Sequence, residues 1–452
     1  MSRSVGRDYD VIVIGAGAAG ERCANALAEG GLRVALVERH LVGGECSYWA
    51  CIPSKALLRP GEAVHGAREA GAVAEVDVAA VLERRDRMVE NWSDAAHEAW
   101  LVARGIDLLR GSGRLAGPGM VEVDGVRVSA RDVVIATGSD SVVPPIAGLA
   151  QLDGVWSTRE ATSLTAVPSR LLVLGGGASG LELAQALHRL GSAVTLVEAA
   201  EHVLPREPAT LGAALGEALR RDGIELVLGV DATGVRNDRG EYVLELDDGR
   251  ALRGDRLLVA TGRRPRVLDL GLESVGVDVD EHGIAVDADL RAGEGVWAIG
   301  DVTGLMPLTY VGEYQADVAA ANILGRPRSA NYEAVPRVVF TDPQVAGVGA
   351  TAAQFSGSAL LAEASQLAIY TRKFMESNGF VTLLSDGERL TGAYALGPEA
   401  AEWMQQATLA VRARVPLAVL RDTIQPFPSF SETYGAALKA LCVNVESAHR
   451  NG

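Results

Sequence analysis

What most constrains this chain is a device that occurs twice. Residues 9–38, YDVIVIGAGAAGERCANALAEGGLRVALVE, read as a buried strand, a glycine-rich turn, a helix and a second strand. Gly15, Gly17 and Gly20 form G-x-G-x-x-G at the strand-to-helix junction, and Glu38 follows Gly20 by 18 residues. Residues 170–198, RLLVLGGGASGLELAQALHRLGSAVTLVE, repeat the pattern with Gly175, Gly177, Gly180 and Glu198 at the same spacing. Such a turn lets the backbone approach a pyrophosphate at a helix N-terminus, while the acid accepts from a ribose hydroxyl. Two units predict two bound dinucleotides.

Each unit has a distal echo, an apolar run stopped by a small-residue turn. These are VVIATGS, with Thr137 and Gly138, and LLVATGRRPR, with Thr261 and Gly262. VWAIGDVTG then sets Asp301 after a further strand, where it either accepts from a polyol hydroxyl of a cofactor or caps the next helix. Glu198 is followed by Ala199, Ala200, Glu201 and His202, with no arginine before Arg206. A 2′-phosphate would meet carboxylates and no guanidinium, so the second site is expected to prefer NADH over NADPH.

The totals exclude several classes of partner. A formal net charge of −16 argues against nucleic acid or an anionic membrane surface. No apolar run approaches the roughly 18 residues that a membrane span requires. The start, MSRSVGRDYDVIVIGAG, lacks the long apolar core of a signal peptide, and the expectation is a soluble cytoplasmic protein. With 452 residues the chain needs no disulfide to stay folded.

Four cysteines are present, Cys23, Cys46, Cys51 and Cys442, two of them close together in GGECSYWACIPSK (43–55). By spacing alone this pair is open to four readings: a metal clamp, a structural staple, a reactive disulfide, or two buried small residues.

In order along the chain, the first glycine unit, C-x4-C-x-P-x-K, the second unit and the G-D motif at Asp301 resemble the pyridine nucleotide–disulfide oxidoreductases. That family includes dihydrolipoamide dehydrogenase, glutathione reductase and mercuric reductase. PRVVFTDPQVAGVG (336–349) resembles the start of its C-terminal dimerisation domain. The implied fold is α/β, with two Rossmann-like dinucleotide-binding domains, for FAD and NAD, and an α+β dimerisation domain. The expected segments are 1–150 for FAD, 151–265 for NAD, 266–330 returning to the FAD domain, and 331–452 for the interface. The stretch 60–110 reads as amphipathic helices within the FAD domain.

The resemblance also implies roles. FAD would lie along Gly15, Gly17, Gly20 and Glu38, with Gly44, Lys55, Gly113, Thr137, Gly138, Asp301 and Thr309 touching it further on. NAD would lie on Gly175, Gly177, Gly180, Glu198 and Gly262. Cys46 and Cys51 would form the redox-active disulfide, Cys51 facing the flavin and Cys46 exchanging with substrate; Lys55 would pair with Glu182 near the flavin. The residues agree with this. Pro53 and the helix-like run after it put Cys51 near a helix N-terminus, where the dipole and Lys55 favour a thiolate. A zinc site would want two more soft or imidazole ligands, and no second close Cys/His pair exists in the sequence. Cys23 and Cys442 read as packing.

One departure stands out. Disulfide reductases of this family carry a C-terminal H-P-x-x-x-E segment, supplied to the site by the partner subunit. Here QPFPSFSETYGAALK places Phe427 before Pro428, with Glu432 keeping the acidic position. The seven histidines, at 40, 65, 97, 188, 202, 282 and 449, lie elsewhere. Loss of a positioned acid–base typically costs ~10²–10⁴-fold in rate. The disulfide loop departs too: Glu45 adds a negative charge that would oppose thiolate formation, and Tyr48 and Trp49 add packing bulk or a stacking surface. The expected protein is a homodimeric oxidoreductase with composite sites, passing electrons from NADH through FAD and Cys46–Cys51 to a small-molecule acceptor. A disulfide is the first choice of acceptor and a quinone or metal ion the second; a non-catalytic redox sensor or subunit is the third reading.

Overall fold

Val11–Ile14 shows no polar alternation, as a strand covered on both faces requires. In the computed structural model it lies mid-sheet, with Val11, Ile12 and Val13 fully buried. The structure describes residues 8–371 and 378–451, so the leader MSRSVGR lies outside the described residues. Strand β1 (Tyr9–Ile14) pairs in parallel with β2 (Val34–Glu38), Val11 opposite Val34, and on its other side with Val126–Ile135. The sheet continues through Val296–Ala298 to Arg291–Gly293 at one edge and to Asp107–Arg110 at the other. Helix α1 (Ala18–Glu29) crosses between β1 and β2 and buries Cys23, Ala24 and Leu27. These small side chains share a core with Ala316, Ala319 and Ala320 of the helix Thr309–Ile323.

The second glycine unit builds a separate parallel sheet in the order Glu225–Leu228, Ala193–Glu198, Arg170–Leu174, Arg256–Val259. Its crossover helix is Ala178–Arg189. Beyond residue 332 the described residues form a five-stranded antiparallel sheet with the helix Ser431–Asn451 laid on it. The approach is close: a Cβ on Gly357 would come within 2.3 Å of the Leu441 nitrogen.

Contacts divide the chain into two compact units. The first is Met1–Pro53, Glu83–Val142 and Gly262–Asn331; the second is Ser54–Leu82, Val143–Thr261 and Tyr332–Gly452. The helical stretch 60–110 is thus shared out rather than held by one unit. Leu57, Leu58 and Val81 pack with Leu181, Leu187 and Leu215 in the second unit, whereas Leu101 and Ile106 join the core around α1. Among the described residues no helix is long and apolar enough to cross a membrane.

Candidate active site

The two glycine turns have the same internal logic. Gly15 takes φ +104°, and a Cβ there would lie 2.3 Å from the Ala136 carbonyl oxygen; one on Gly20 would lie 1.9 Å from the oxygen of Gly15. These glycines are required by the chain itself. Gly17 is not: its φ is an ordinary −73°, and a Cβ on it would meet no protein atom within 4 Å. It caps α1 without any side-chain hydrogen bond, leaving open ground before a helix N-terminus. The second turn matches it, with Gly175 at φ +110°, Gly180 against the Gly175 carbonyl and nothing within 4 Å of a Cβ on Gly177. Both turns fit a dinucleotide diphosphate.

The two acids end their strands and bind their own turns. Glu38 accepts from the Ala16 and His40 amides at 2.9 and 2.7 Å. Glu198 accepts from those of Gly176 and Ala200 at 2.6 and 3.0 Å.

Residues 137–139 and 262–266, at the ends of the two echo motifs, are cross-tied within the first unit. Thr137 donates its hydroxyl to the Arg266 carbonyl at 2.9 Å, and the Arg266 amide donates to the Gly138 carbonyl. Asp301 accepts from the Ser139 hydroxyl at 2.5 Å, and Arg263 donates to that same oxygen at 2.7 Å. Asp301 does not cap the helix Thr309–Ile323, whose N-cap is Leu308, so the capping alternative falls. Gly262 (φ +135°) is open, whereas Gly113 is tight, a Cβ there reaching 2.9 Å from Val37. Ser139, Arg263 and Arg266 carry no sequence signal of their own, although Ser139 and Arg263 follow directly on the quoted T-G turns and Arg266 closes LLVATGRRPR.

Cys46 sits on the short helix α2 (Gly44–Tyr48) and Cys51 opens α3 (Cys51–Glu69), so Cys51 does lie at a helix N-terminus. Both side chains are half-buried, and no disulfide joins them. The Cys51 Sγ lies 3.3 Å from the hydroxyl of Thr309, first residue of its helix. Cys46 is held well above the ordinary thiol range, first by its hydrogen bond with Cys51 and then by burial; Thr309 acts in the opposite sense and Glu313 adds to the rise.

The loop side chains revise one expectation and decide between the two alternatives of another. Glu45 is no bare charge opposing a thiolate, because Arg266 pairs with it at 3.1 Å. Tyr48 is 1 % exposed and donates its hydroxyl to the Ser93 carbonyl at 3.2 Å, so it packs and offers no stacking surface; the Trp49 ring lies beside it at 5.7 Å. Cys23 and Cys442 are buried, and burial pushes the Cys23 thiol up to about 12.

In the second unit Lys55, one turn along α3 from Cys51, places its Nζ 2.6 Å from Glu182. Glu182 is nearly buried, and its other oxygen accepts from the Phe340 amide at 2.9 Å. Lys55 also lies 4.7 Å from the centre of the Phe340 ring. Phe340 falls in the quoted PRVVFTDPQ but carries no sequence signal of its own. Phe427 is 71 % exposed. Glu432, in the first turn of Ser431–Asn451, accepts from the Ser429 amide at 3.0 Å. Among the described residues no group of three or more His, Cys, Asp or Glu side chains is arranged to hold a metal ion.

Comparison with known proteins gives a consistent result. Residues 9–316 match the family described as pyridine nucleotide-disulphide oxidoreductase, and residues 335–438 match its dimerisation domain. The chain is 37% identical to a dihydrolipoyl dehydrogenase from Thermus scotoductus, covering 96% of this chain and 98% of that one. It is 33% identical to a mercuric reductase from Bacillus cereus, covering 94% and 70%. Among solved structures, the Cu(II) complex of an HOCl-induced flavoprotein disulfide reductase from Escherichia coli superposes with a TM-score of 0.83 at 27% identity, covering 94% and 98%.

Proposed function

We propose that this chain, which belongs to the pyridine nucleotide-disulphide oxidoreductase family, passes electrons from NADH through FAD and the Cys46–Cys51 pair to a small disulfide. The observation that carries this is the pair itself: two half-buried thiols, one opening α3 and touching Thr309, the other hydrogen-bonded to it. FAD, when bound, takes a hydride from the nicotinamide and gives two electrons to a disulfide. The chain's part is to bind and to exchange. Gly15, Gly17, Gly20 and Glu38 would hold FAD, with Ser139 and Asp301 further along; Gly175, Gly177, Gly180 and Glu198 would hold NADH. Lys55, kept in place by Glu182, supplies a fixed positive charge one turn from Cys51.

Once reduced, Cys46 attacks a sulfur of the acceptor and one thiol leaves. Cys51 then attacks the Cys46 sulfur, which releases the second thiol and restores the Cys46–Cys51 bond. The sum is NADH, a proton and a disulfide giving NAD⁺ and two thiols. The preference for NADH is supported by Glu198, whose carboxylate ends its strand with Ala199 and Ala200 next in sequence and no guanidinium among the residues directly following.

A metal ion as acceptor is the second reading, and one observation favours it. The hydrogen bond with Cys51 and burial push the Cys46 thiol up, and by the resemblance Phe427 stands where a proton donor would; both slow thiol exchange, whereas direct reduction of an ion by the flavin would need neither group. The mercuric reductase relative and the Cu(II)-bound structural neighbour point the same way. The deciding experiment is NADH or NADPH oxidation with disulfides, quinones and metal ions as acceptors, for wild type and Cys46→Ser. Disulfide turnover that prefers NADH and vanishes in Cys46→Ser supports the relay. Metal or quinone turnover that survives Cys46→Ser would remove it.

A further inference from the structure

The second unit contains a loop, residues 340–342, between the strands Pro336–Val339 and Gln344–Gly349. Thr341 and Asp342 are buried, and buried loop backbone has to find partners away from water. Side chains on one face of the crossover helix Ala178–Arg189 supply them, at positions 182, 185 and 189. Glu182 accepts from the Phe340 amide at 2.9 Å. Gln185, fully buried, accepts from the Asp342 amide at 2.7 Å and donates to the Asp342 carbonyl at 2.8 Å. An amide N–H can only donate, so the Gln185 oxygen has to face it; the Gln185 nitrogen also donates to the Asp222 carboxylate at 3.0 Å. Arg189, 9 % exposed, donates to the Asp342 and Asp222 carboxylates at 2.8 Å each.

The same helix face receives α3. Lys55 places its Nζ 2.6 Å from Glu182, and six residues on, a Cβ on Gly61 would stand 2.8 Å from the Arg189 Cβ. Glu182 therefore divides its carboxylate, one oxygen on Lys55 and the other on the loop amide. The Lys55 side chain is 38 % exposed on a flexible stem, and an ion pair that open to water fixes little by itself. Its geometry comes from the nearly buried Glu182, oriented by the loop, and from the Phe340 ring at 4.7 Å.

We propose that Gln185 and Arg189 are positioning residues: they clamp the loop 340–342 onto the crossover helix, and the loop fixes the Glu182–Lys55 pair, so that the Lys55 charge stays one turn from Cys51. The proposal rests on the reading of Lys55 as the fixed charge of the relay. A merely structural clamp would cost the same factor of activity whether or not Lys55 is present. A clamp that acts through Lys55 costs nothing further once that charge is gone.

The experiment is a double-mutant cycle on the FAD-bound protein: wild type, Gln185→Leu, Lys55→Met and both together. The readout is kcat for NADH oxidation with dithiobis(nitrobenzoate), a disulfide whose thiolate leaves without an acid; far-UV circular dichroism checks folding. Gln185→Leu keeps the bulk and removes the hydrogen bonds, and is expected to lower kcat roughly tenfold in the wild-type background. In the Lys55→Met background it is expected to change kcat less than twofold. An equal loss in both backgrounds overturns the proposal, as does a Gln185→Leu protein as active as wild type. Should Gln185→Leu fail to fold, Arg189→Lys, which keeps the buried charge but not the two-armed grip, enters the same cycle and is judged by the same comparison. A Lys55→Met protein with wild-type turnover, or a wild type that does not reduce this disulfide, overturns the underlying relay reading, and this proposal with it.

Discussion

At the scale of single residues, reactivity turns on who holds a proton. Cys46 is kept protonated chiefly by its hydrogen bond with Cys51, and burial adds to this. The nucleophile is the thiolate, so a raised pKa means slow alkylation of the reduced protein at pH 7 and faster reaction as pH rises. Cys51→Ala removes the leading cause, and the pH profile of iodoacetamide reaction at Cys46 should shift to lower pH. An unchanged profile would mean that burial and Glu313 dominate. Phe427 belongs to the same question. If a partner subunit brings it to the thiol pair, Phe427→His restores a proton acceptor with Glu432 beside it. Disulfide turnover should then rise, within the ~10²–10⁴-fold range of such a group, while metal-ion turnover stays flat or falls. No gain with any disulfide would count against a disulfide acceptor.

At the scale of elements, the two glycine turns separate chain requirements from ligand requirements. A Cβ on Gly20 would collide with the Gly15 carbonyl, whereas one on Gly17 would meet nothing in the chain. Gly17→Ala should therefore fold with an unchanged circular dichroism spectrum, yet bind FAD poorly. Intrusion of a methyl into filled space typically costs about 1–3 kcal/mol, or roughly five- to 150-fold in affinity. Gly20→Ala should instead lower the melting temperature even of the apoprotein. Flavin fluorescence titration and thermal melts on both variants check the contrast, and equal behaviour would dissolve it. The turns, their acids and the Cys51 helix start are legible in sequence because each is written within about thirty residues. The Glu45–Arg266 pair is not, since its partners are 221 residues apart and neither sits at a recognisable spacing from the other. The sequence leaves Tyr48 open between packing and stacking for a similar reason: the Ser93 carbonyl that takes its hydroxyl is 45 residues downstream.

At the scale of the whole molecule, the order of motifs, through the family resemblance, implies the two α/β units and an α+β C-terminal domain. It does not predict that Ser54–Leu82 would group with the second unit, because an amphipathic stretch declares a face to bury and not the core that receives it. The dimerisation-domain match at 335–438 leads to a further expectation. Sedimentation at assay concentration should give a homodimer, and dilution to monomer should abolish disulfide turnover; an active monomer would contradict the composite site. One consequence of the duplicated turn remains. In the proposed cycle one dinucleotide stays through many turnovers, while the other must leave after each. Yet both turns leave the same glycine open, and both are tied by a carboxylate at hydrogen-bond distances between 2.6 and 3.0 Å. Residence time is therefore not set in the glycine turn. The difference between a resident and a visitor has to come from what grips the rest of the molecule; in the proposed FAD site the candidates are Ser139 and Asp301, which are joined by a 2.5 Å hydrogen bond.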